Sequence, residues 1–377
     1  MNFIDLFSGV GGFTRGLELA GHECVGHCEL DKFAEASYRS MHTITDEQRK
    51  YLLSLPLKQR QKEILKEEYL NGEWYESDIK RARNIPRADI WTFGAPCQDF
   101  SIAGRRAGLD GERSSLVREV FRLIAERQEK DRPEWLIYEN VKGMLSSSSG
   151  RDFLEILYTM DGLGYDAEWQ VINSKWFVPQ NRERVYLIGH LRERGGRKIL
   201  PIKGASGENH LKQLVQGSQG NCVYNSDGIS CTLSSLGGGQ GAKTSLYAFG
   251  IDKSQDHPKK IDIANCITGN ENRGVAKVRS QGTAIAIPVL TPDQDRHGVG
   301  QDTKDINAVW SDKYQSYITI RKLTPRECFR LQGWTDEYFE KAKQFNSDSQ
   351  LYKQAGNGVT VDVVKAIGEK LKGQEND

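Results

Sequence analysis

Short runs of consecutive apolar residues alternate with stretches of helical periodicity over the first half of the chain. The apolar runs predict strands over 3–7, 23–29, 89–93, 135–139, 167–173 and 184–190. Between them, the spacing of apolar positions predicts helices over 12–20, 31–41, 115–128 and 150–162. Strands alternating with helices indicate an α/β fold, doubly wound about a mainly parallel sheet. Between the second and third strands, residues 45–71 are charged and helix-prone, with Pro56 dividing them into two pieces. This segment reads as a surface insertion without assigned chemistry.

From residue 191 the pattern changes. Gly occupies 17 of the 140 positions in 191–330, and no long helical period is present. Short β-type runs recur at Ile229-Ser-Cys-Thr-Leu, Ala284-Ile-Ala-Ile and Tyr317-Ile-Thr-Ile. An irregular, loop-rich β module is expected there. A helix signal returns after Leu323-Thr-Pro-Arg-Glu, and Val359 to Leu371 reads as an amphipathic helix that rejoins the first half. The expected organisation is a large domain of 1–190 plus 350–377 and a smaller β-rich domain with its hinge over 191–349.

Composition refines this picture in three places. A chain of 377 residues has enough apolar sequence for both domains. Mean hydropathy is −0.60 and no run reaches membrane-spanning length, so a soluble, cytoplasmic protein is expected. Met1-Asn2 leads straight into the first strand, and no leader is expected. Net charge is only +1, but its distribution is uneven. Residues 191–330 hold 20 Lys and Arg against 13 Asp and Glu, while the remainder holds 32 against 38. A basic module on an acidic body suits a polyanionic partner held by one half of the molecule. The seven cysteines follow no framework spacing, which points to a reducing compartment. His22, Cys24, His27 and Cys28 crowd one strand, but a single strand cannot fold back into a tetrahedral set, and no metal is expected.

The candidate chemistry lies at predicted strand ends. The first strand runs into Phe7-Ser-Gly9-Val-Gly11-Gly12, where glycines let the backbone approach a ligand. Thr14 stands where the dinucleotide fingerprint has its third glycine. Glu29 ends the next strand, placed to accept hydrogen bonds from a ribose, and Asp78-Ile79 suits an adenine edge. A nucleoside ligand follows, but nothing at this turn can exchange a hydride. Cys97 follows Pro96 at the end of the third predicted strand, as Gly94-Ala-Pro-Cys97-Gln98. The stretch from Ser101 to Arg113 holds three glycines and the arginines Arg105, Arg106 and Arg113, fit for a loop closing on an anionic polymer. Glu139-Asn140-Val141 ends the fourth strand, and Gln180-Asn-Arg182-Glu-Arg184 opens the last. A thiol and a carboxyl at neighbouring strand ends present a nucleophile and an acid to one bound ligand.

In this order the motifs resemble those of the bacterial and phage DNA (cytosine-5)-methyltransferases. The resemblance runs from Asp5 to Val364. It continues through Arg321-Lys-Leu-Thr-Pro-Arg-Glu-Cys-Phe-Arg-Leu-Gln-Gly333 and Gly356-Asn357-Gly358-Val359. Leu30 stands where many members carry an aromatic residue, Gly358 replaces a more usual Ser, and Ala103 occupies an often polar loop position. The 43–72 insertion is extra relative to the smallest members.

The resemblance implies a Rossmann-like domain that binds S-adenosylmethionine through Phe7, Gly9, Gly11, Glu29, Leu30, Asp78, Ile79, Pro96, Asn357 and Val359. It implies methyl transfer to carbon 5 of a cytosine flipped out of a specific short duplex sequence. Cys97 would attack carbon 6, Glu139 would donate to ring nitrogen 3, Arg184 would hold the 2-oxo group and Arg182 would support Arg184. Asn357 would brace the loop around Pro96 and Cys97. DNA contacts are expected from Gln98, Ser101, Arg105, Arg106, Arg113, Lys243 and Arg273, with Lys277, Arg279 and the Gly237–Lys243 loop as further readers. A monomer is expected, with a cognate restriction endonuclease as a separately acting partner. Two alternatives remain: a tRNA cytosine-5 methyltransferase, though no Cys-Phe-Thr signature is present, and a catalytically silent DNA-binding homologue.

Overall fold

In the computed structural model the described residues are 1–95, 116–195, 198–203 and 323–373, with the backbone of six short strands between 213 and 321. In the main sheet β1 (Asn2–Leu6) is flanked by β2 (Glu23–Cys28) and β4 (Ile90–Phe93). Beyond β2 sits β3 (Trp74–Glu76). Beyond β4 come β5 (Trp135–Val141), β7 (Glu183–Leu191) and β6 (Tyr165–Asn173), giving the order β3-β2-β1-β4-β5-β7-β6. The first five strands are parallel, and β7 runs antiparallel between β5 and β6. Phe3, Ile4 and Leu6 are all fully buried, as expected of a strand covered on both faces. The chain leaves β1 toward β2 on one side and returns to β4 on the other. The crevice beyond the carboxyl ends of β1 and β4 is therefore the switch point at which such sheets take ligands.

The helices that cover this sheet are α1 (Gly12–Leu19), α2 (Lys32–Tyr38), α5 (Leu116–Ala125), α6 (Arg151–Gly162) and α10 (Val361–Lys372), with α3, α4 and α7–α9 defined below. α10 packs against α1 at backbone distance. A Cβ built on Gly16 would lie 2.5 Å from Val364 Cβ, and one on Gly368 would lie 2.8 Å from Ala20 Cβ. The C-terminal helix thus returns to the first strand–helix unit, as its amphipathic pattern predicts.

Three features depart from the sequence pattern. β3 is an additional edge strand of three residues. α2 does not reach residue 41 as an α-helix but widens into a π-turn over Arg39–Thr43. The insertion folds as α3 (Asp46–Ser54) and α4 (Leu57–Glu63), with Pro56 as the N-cap of α4. It is not merely superficial, because Leu52, Ile64 and Tyr69 close a small core with Ala36 and Phe345.

Residues 323–357 form α7 (Pro325–Arg330), α8 (Asp336–Lys343) and α9 (Asp348–Asn357). Leu323, Phe329, Trp334 and Phe339 share a core with Val10 and Met41, so this stretch packs on the first half of the chain. The sequence pattern assigns 323–349 to the recognition module and its hinge. Between 213 and 321, the backbones of β8 (Gln213–Val215), β9 (Val223–Asn225), β10 (Leu246–Asp252), β11 (Lys259–Ile261), β12 (Ala308–Ser311) and β13 (Ser316–Arg321) form a second sheet. Its order is β12-β13-β10-β9-β8, with β11 on β10.

The histidines near β2 are engaged by other groups. His22 Nε2 lies 2.9 Å from the Gly368 carbonyl. His27 is fully buried, with Nδ1 2.6 Å from Glu73 and Nε2 2.9 Å from Glu35. Arg39 pairs with Glu35 and also donates to the carbonyls of Ile64 at 3.1 Å and Lys66 at 2.6 Å. Tyr38 stacks on the imidazole at 3.8 Å and donates to Glu73 at 2.9 Å. Two carboxylates against Arg39 and a protonated His27 make a neutral buried cluster, which fastens the insertion and β3 to the sheet.

Burial alone would lower the His27 pKa. The Glu35 charge and the hydrogen bonds from Glu35 and Glu73 outweigh it and raise the pKa from 6.5 to about 9. A raised folded-state pKa gives stability that is fully present below about pH 6.5 and is lost as pH rises through about 9. The contribution is on the order of 3 kcal/mol. Urea unfolding across this range should show stability falling with pH, and a His27→Asn variant should lose that part of the slope. An unchanged slope in the variant would remove His27 from this role.

Candidate active site

The turn after β1 is built by three left-handed residues, Phe7 (φ 60°), Gly9 (φ 59°) and Gly11 (φ 85°). Asp5, fully buried, braces the turn from below. It accepts from the Thr14 amide at 3.1 Å, the Thr14 hydroxyl at 2.8 Å and the Thr92 hydroxyl at 3.1 Å. Burial nonetheless raises its pKa to about 6. A Cβ built on Gly9 would meet nothing within 4 Å, so the space over this residue is open. A glycine turn with open space above it is suited to a close-lying ligand.

Glu29, just past β2, faces this turn. Its carboxylate accepts from the Gly9 amide at 2.8 Å and the Asp31 amide at 2.6 Å. Burial raises the Glu29 pKa to about 7 against these hydrogen bonds, which favour the ionised form. Leu30 beside it is 73% exposed. On the next strand out, Glu76 accepts from the Ser77 amide at 2.7 Å and the Asp78 amide at 3.2 Å. The Asp78 carboxylate in turn caps the following helical turn through the Lys80 amide at 3.0 Å, and Ile79 is buried. The expected cofactor residues that follow β1, β2 and β3 therefore sit along one edge of one sheet, at the carboxyl ends of its strands.

The acid lies at the same edge, two strands away. Glu139 is mostly buried near the end of β5, and Arg184 on β7 lies 3.1 Å away, Nε to Oε1. This pairing follows from the antiparallel register, which sets Glu139 opposite Tyr186 and Val141 opposite Arg184. Asn140 donates to the Tyr138 hydroxyl at 2.6 Å and to the Ala95 carbonyl at 3.4 Å. The segment leaving β4 is thus tied to the end of β5. A Cβ built on Gly94 would lie 3.5 Å from Glu139 Oε2, 3.8 Å from Phe13 and 4.0 Å from Val359. At this point β4, β5, α1 and the α9–α10 link converge.

Arg182 takes a different place from Arg184. It is buried and donates to the carbonyls of Gly356 at 3.2 Å and Gly358 at 2.9 Å, holding the α9–α10 link. Gln180, also buried, donates to the Leu331 carbonyl at 3.3 Å. The three polar side chains expected on one strand face therefore serve different partners, and the strand itself begins only at Glu183. Asn357 is exposed at the last residue of α9. Pro96, Cys97, Gln98, Ser101, Arg105, Arg106, Arg113, Lys243 and Arg273 lie outside the described residues. Asp5, Thr14, Thr92 and Gly94 were not expected at the site. The Asp5–Thr14 spacing across the glycine turn is the signal that marks the first two.

The arrangement offers a nucleoside cradle and a carboxyl–guanidinium pair on one sheet edge. The model of the C-5 cytosine-specific DNA methylase family matches residues 1–373. The chain belongs to this family. Orphan methyltransferase M.SPRI of Bacillus phage SPR is 28% identical, the match covering 98% of this chain and 97% of the relative. Type II methyltransferase M.HhaI of Haemophilus parahaemolyticus is 28% identical, over 98% of this chain and 94% of that protein. Type II methyltransferase M.HpaII of Haemophilus parainfluenzae is 29% identical, over 98% and 88%. Among solved structures, S. pombe Dnmt2 methyltransferase matches 100% of this chain and 99% of its own with a TM-score of 0.55. At 16% identity that likeness speaks for the fold alone. The protein is therefore a DNA methyltransferase of the cytosine-5 class, with a Rossmann-like α/β catalytic fold. Membership implies S-adenosylmethionine-dependent methylation of cytosine in DNA.

Proposed function

We propose that this enzyme methylates carbon 5 of a cytosine flipped out of a specific short duplex sequence, through a covalent intermediate on Cys97. The observation that carries this proposal is the Glu139–Arg184 pair beside Gly94, on the sheet edge that also bears the glycine turn and Glu29. Two groups 3.1 Å apart are spaced to engage neighbouring positions of one pyrimidine ring. Glu139, in its protonated form, donates to nitrogen 3, and Arg184 holds the adjacent 2-oxo group. The target ring is out of reach while stacked in a duplex, which is why the base must leave the helix.

The residues present fit S-adenosylmethionine. The open face of Gly9 admits the ligand backbone, Glu29 offers carboxylate oxygens to ribose hydroxyls, and Asp78 and Ile79 flank the position for adenine. Phe7, Gly11, Leu30, Pro96, Asn357 and Val359 complete the proposed set. Bound there, the cofactor supplies an electrophilic methyl group. The Cys97 thiolate adds to carbon 6 while Glu139 protonates nitrogen 3, which makes carbon 5 nucleophilic. After transfer, the carbon 5 proton leaves to water, the carbon 6–sulfur bond breaks with Cys97 departing as thiolate, and nitrogen 3 returns its proton to the Glu139 carboxylate. Arg182 acts at one remove, by holding Gly356 and Gly358.

Gln98, Ser101, Arg105, Arg106 and Arg113 are proposed to contact DNA near the target, and the basic module with Lys243 and Arg273 to read its sequence. Packing supports a catalytic body that includes 323–357 along with the first half and α10. We further propose a monomer that acts in a bacterial cytoplasm, either as an orphan, the word in the name of M.SPRI, or beside a separate restriction endonuclease. Among the described residues no helix is long and apolar enough to cross a membrane. Incubation with methyl-labelled S-adenosylmethionine should place label in 5-methylcytosine of duplex DNA. Label in tRNA with none in duplex DNA would replace this function with the RNA alternative.

A further inference from the structure

The Gln332-Gly333 step, part of the motif from Arg321 to Gly333, has no role in the chemistry above. Gln332 is fully buried between the two ends of the α9–α10 link. Its amide nitrogen donates to the Ala355 carbonyl at 2.8 Å, and its amide oxygen accepts from the Thr360 hydroxyl at 3.0 Å. Its backbone carbonyl accepts from the Val361 amide at 3.0 Å. The Thr360 hydroxyl also lies 2.8 Å from the Ser174 hydroxyl. Since Thr360 spends its proton on Gln332, Ser174 must be the donor to Thr360. The chain of donors therefore has one direction, from Ser174 through Thr360 and Gln332 to the carbonyl of Ala355.

Thr360 is the N-cap residue of α10, yet its side chain makes no capping hydrogen bond. A threonine at this position ordinarily caps its own helix. Here the hydroxyl serves Gln332 instead. Arg182 holds the next carbonyls, Gly356 and Gly358, so the link is fixed along its length by side chains from elsewhere in the fold. What the link positions is Val359. Its carbonyl would be 2.8 Å from a Cβ on Gly12, and its side chain would be 4.0 Å from one on Gly94.

We infer that the Ser174–Thr360–Gln332 chain is a positioning device for cofactor binding, setting Val359 against the glycine turn. This inference rests on the S-adenosylmethionine site proposed above. Gln332 and Thr360 touch neither ligand nor reacting atoms. They act through the link, and their loss loosens the wall of the cofactor site while Glu139 and Arg184 stay in place.

The test is equilibrium binding of S-adenosylhomocysteine to the full chain without DNA, with kcat and KM for S-adenosylmethionine measured alongside. Gln332→Leu and Thr360→Val should weaken binding roughly tenfold, the equivalent of one net hydrogen bond in a fixed geometry. KM should rise in parallel, while kcat at saturating cofactor stays within about threefold of wild type. Thr360→Ser, which keeps the hydroxyl, should restore affinity to within about twofold of wild type. Ser174→Ala removes only the outermost donor and should give a smaller loss; it provides the comparison should a core variant fail to fold. Unchanged affinity in folded Gln332→Leu, Thr360→Val or Ser174→Ala, or a fall in kcat without a change in affinity, would overturn the inference alone. Absence of binding by the wild-type chain would overturn both the inference and the proposed cofactor site.

Discussion

A Cys97→Ala variant is expected to transfer methyl groups more slowly than wild type by a factor of about 10⁵ or greater, in line with removal of a nucleophile elsewhere. Carbon 5 of cytosine is a poor nucleophile, and addition of a thiolate at carbon 6 is what converts it into an enamine-like centre. Alanine offers no atom for that bond. Among the described residues, the groups beside Gly94 are the Glu139 carboxyl and the Arg184 guanidinium, and neither is a thiol. The substitution follows Pro96 in the segment leaving β4, so the Asn140–Ala95 contact and the sheet beneath should persist. DNA binding should survive, because the phosphate contacts and sequence reading are assigned to other residues. Single-turnover measurement with labelled cofactor and duplex DNA checks this, and turnover near the wild-type rate would remove Cys97 as the nucleophile.

Glu139→Gln should lower kcat by about 10²–10⁴, the usual contribution of a positioned general acid. The amide keeps the shape of the side chain, and its oxygen can still accept from Arg184, so the pair across β5 and β7 is retained. What is lost is the proton that neutralises nitrogen 3 as the thiolate adds. Cofactor affinity should change by less than about twofold, because Gly9 and Glu29 form a separate part of the edge. A variant with normal kcat and weakened cofactor binding would contradict this role for Glu139.

Much of the catalytic fold is legible in the sequence because its central strands are buried on both faces. Phe3-Ile-Asp-Leu, Ile90-Trp-Thr-Phe and Trp135-Leu-Ile-Tyr are near-continuous apolar runs, and such runs mark parallel strands. β3 escapes because Trp74-Tyr-Glu is too short to show a period and gains its place only by pairing with β2. The insertion reads as surface because α3 and α4 are mostly charged. Its anchor is a set of single apolar residues, Leu52, Ile64 and Tyr69, brought together by tertiary contact with Phe345.

The candidate site divides in the same way. Glu29, Glu139 and Arg184 are visible as polar residues at strand ends. That Glu139 meets Arg184 depends on the register of β5 with β7, which no local spacing encodes. Arg182 and Gln180 alternate with Arg184 along the chain, and alternation alone suggests one shared face. Their actual partners, Gly356, Gly358 and Leu331, come from more than 150 positions away. Asp5 reads as part of a strand, and its bracing of Thr14 and Thr92 appears only when β1, α1 and β4 are assembled.

The central claim is that this chain methylates cytosine at carbon 5 within one short duplex sequence, using Cys97. Its most direct test is expression in a bacterium lacking cytosine methylation, beside Cys97→Ser, followed by sequencing of genomic DNA after chemical conversion of unmodified cytosines. The expected result is protected cytosines confined to one short motif with the wild-type chain and none with the variant. Complete conversion with both, while the wild-type protein is soluble and binds S-adenosylmethionine, would contradict the claim.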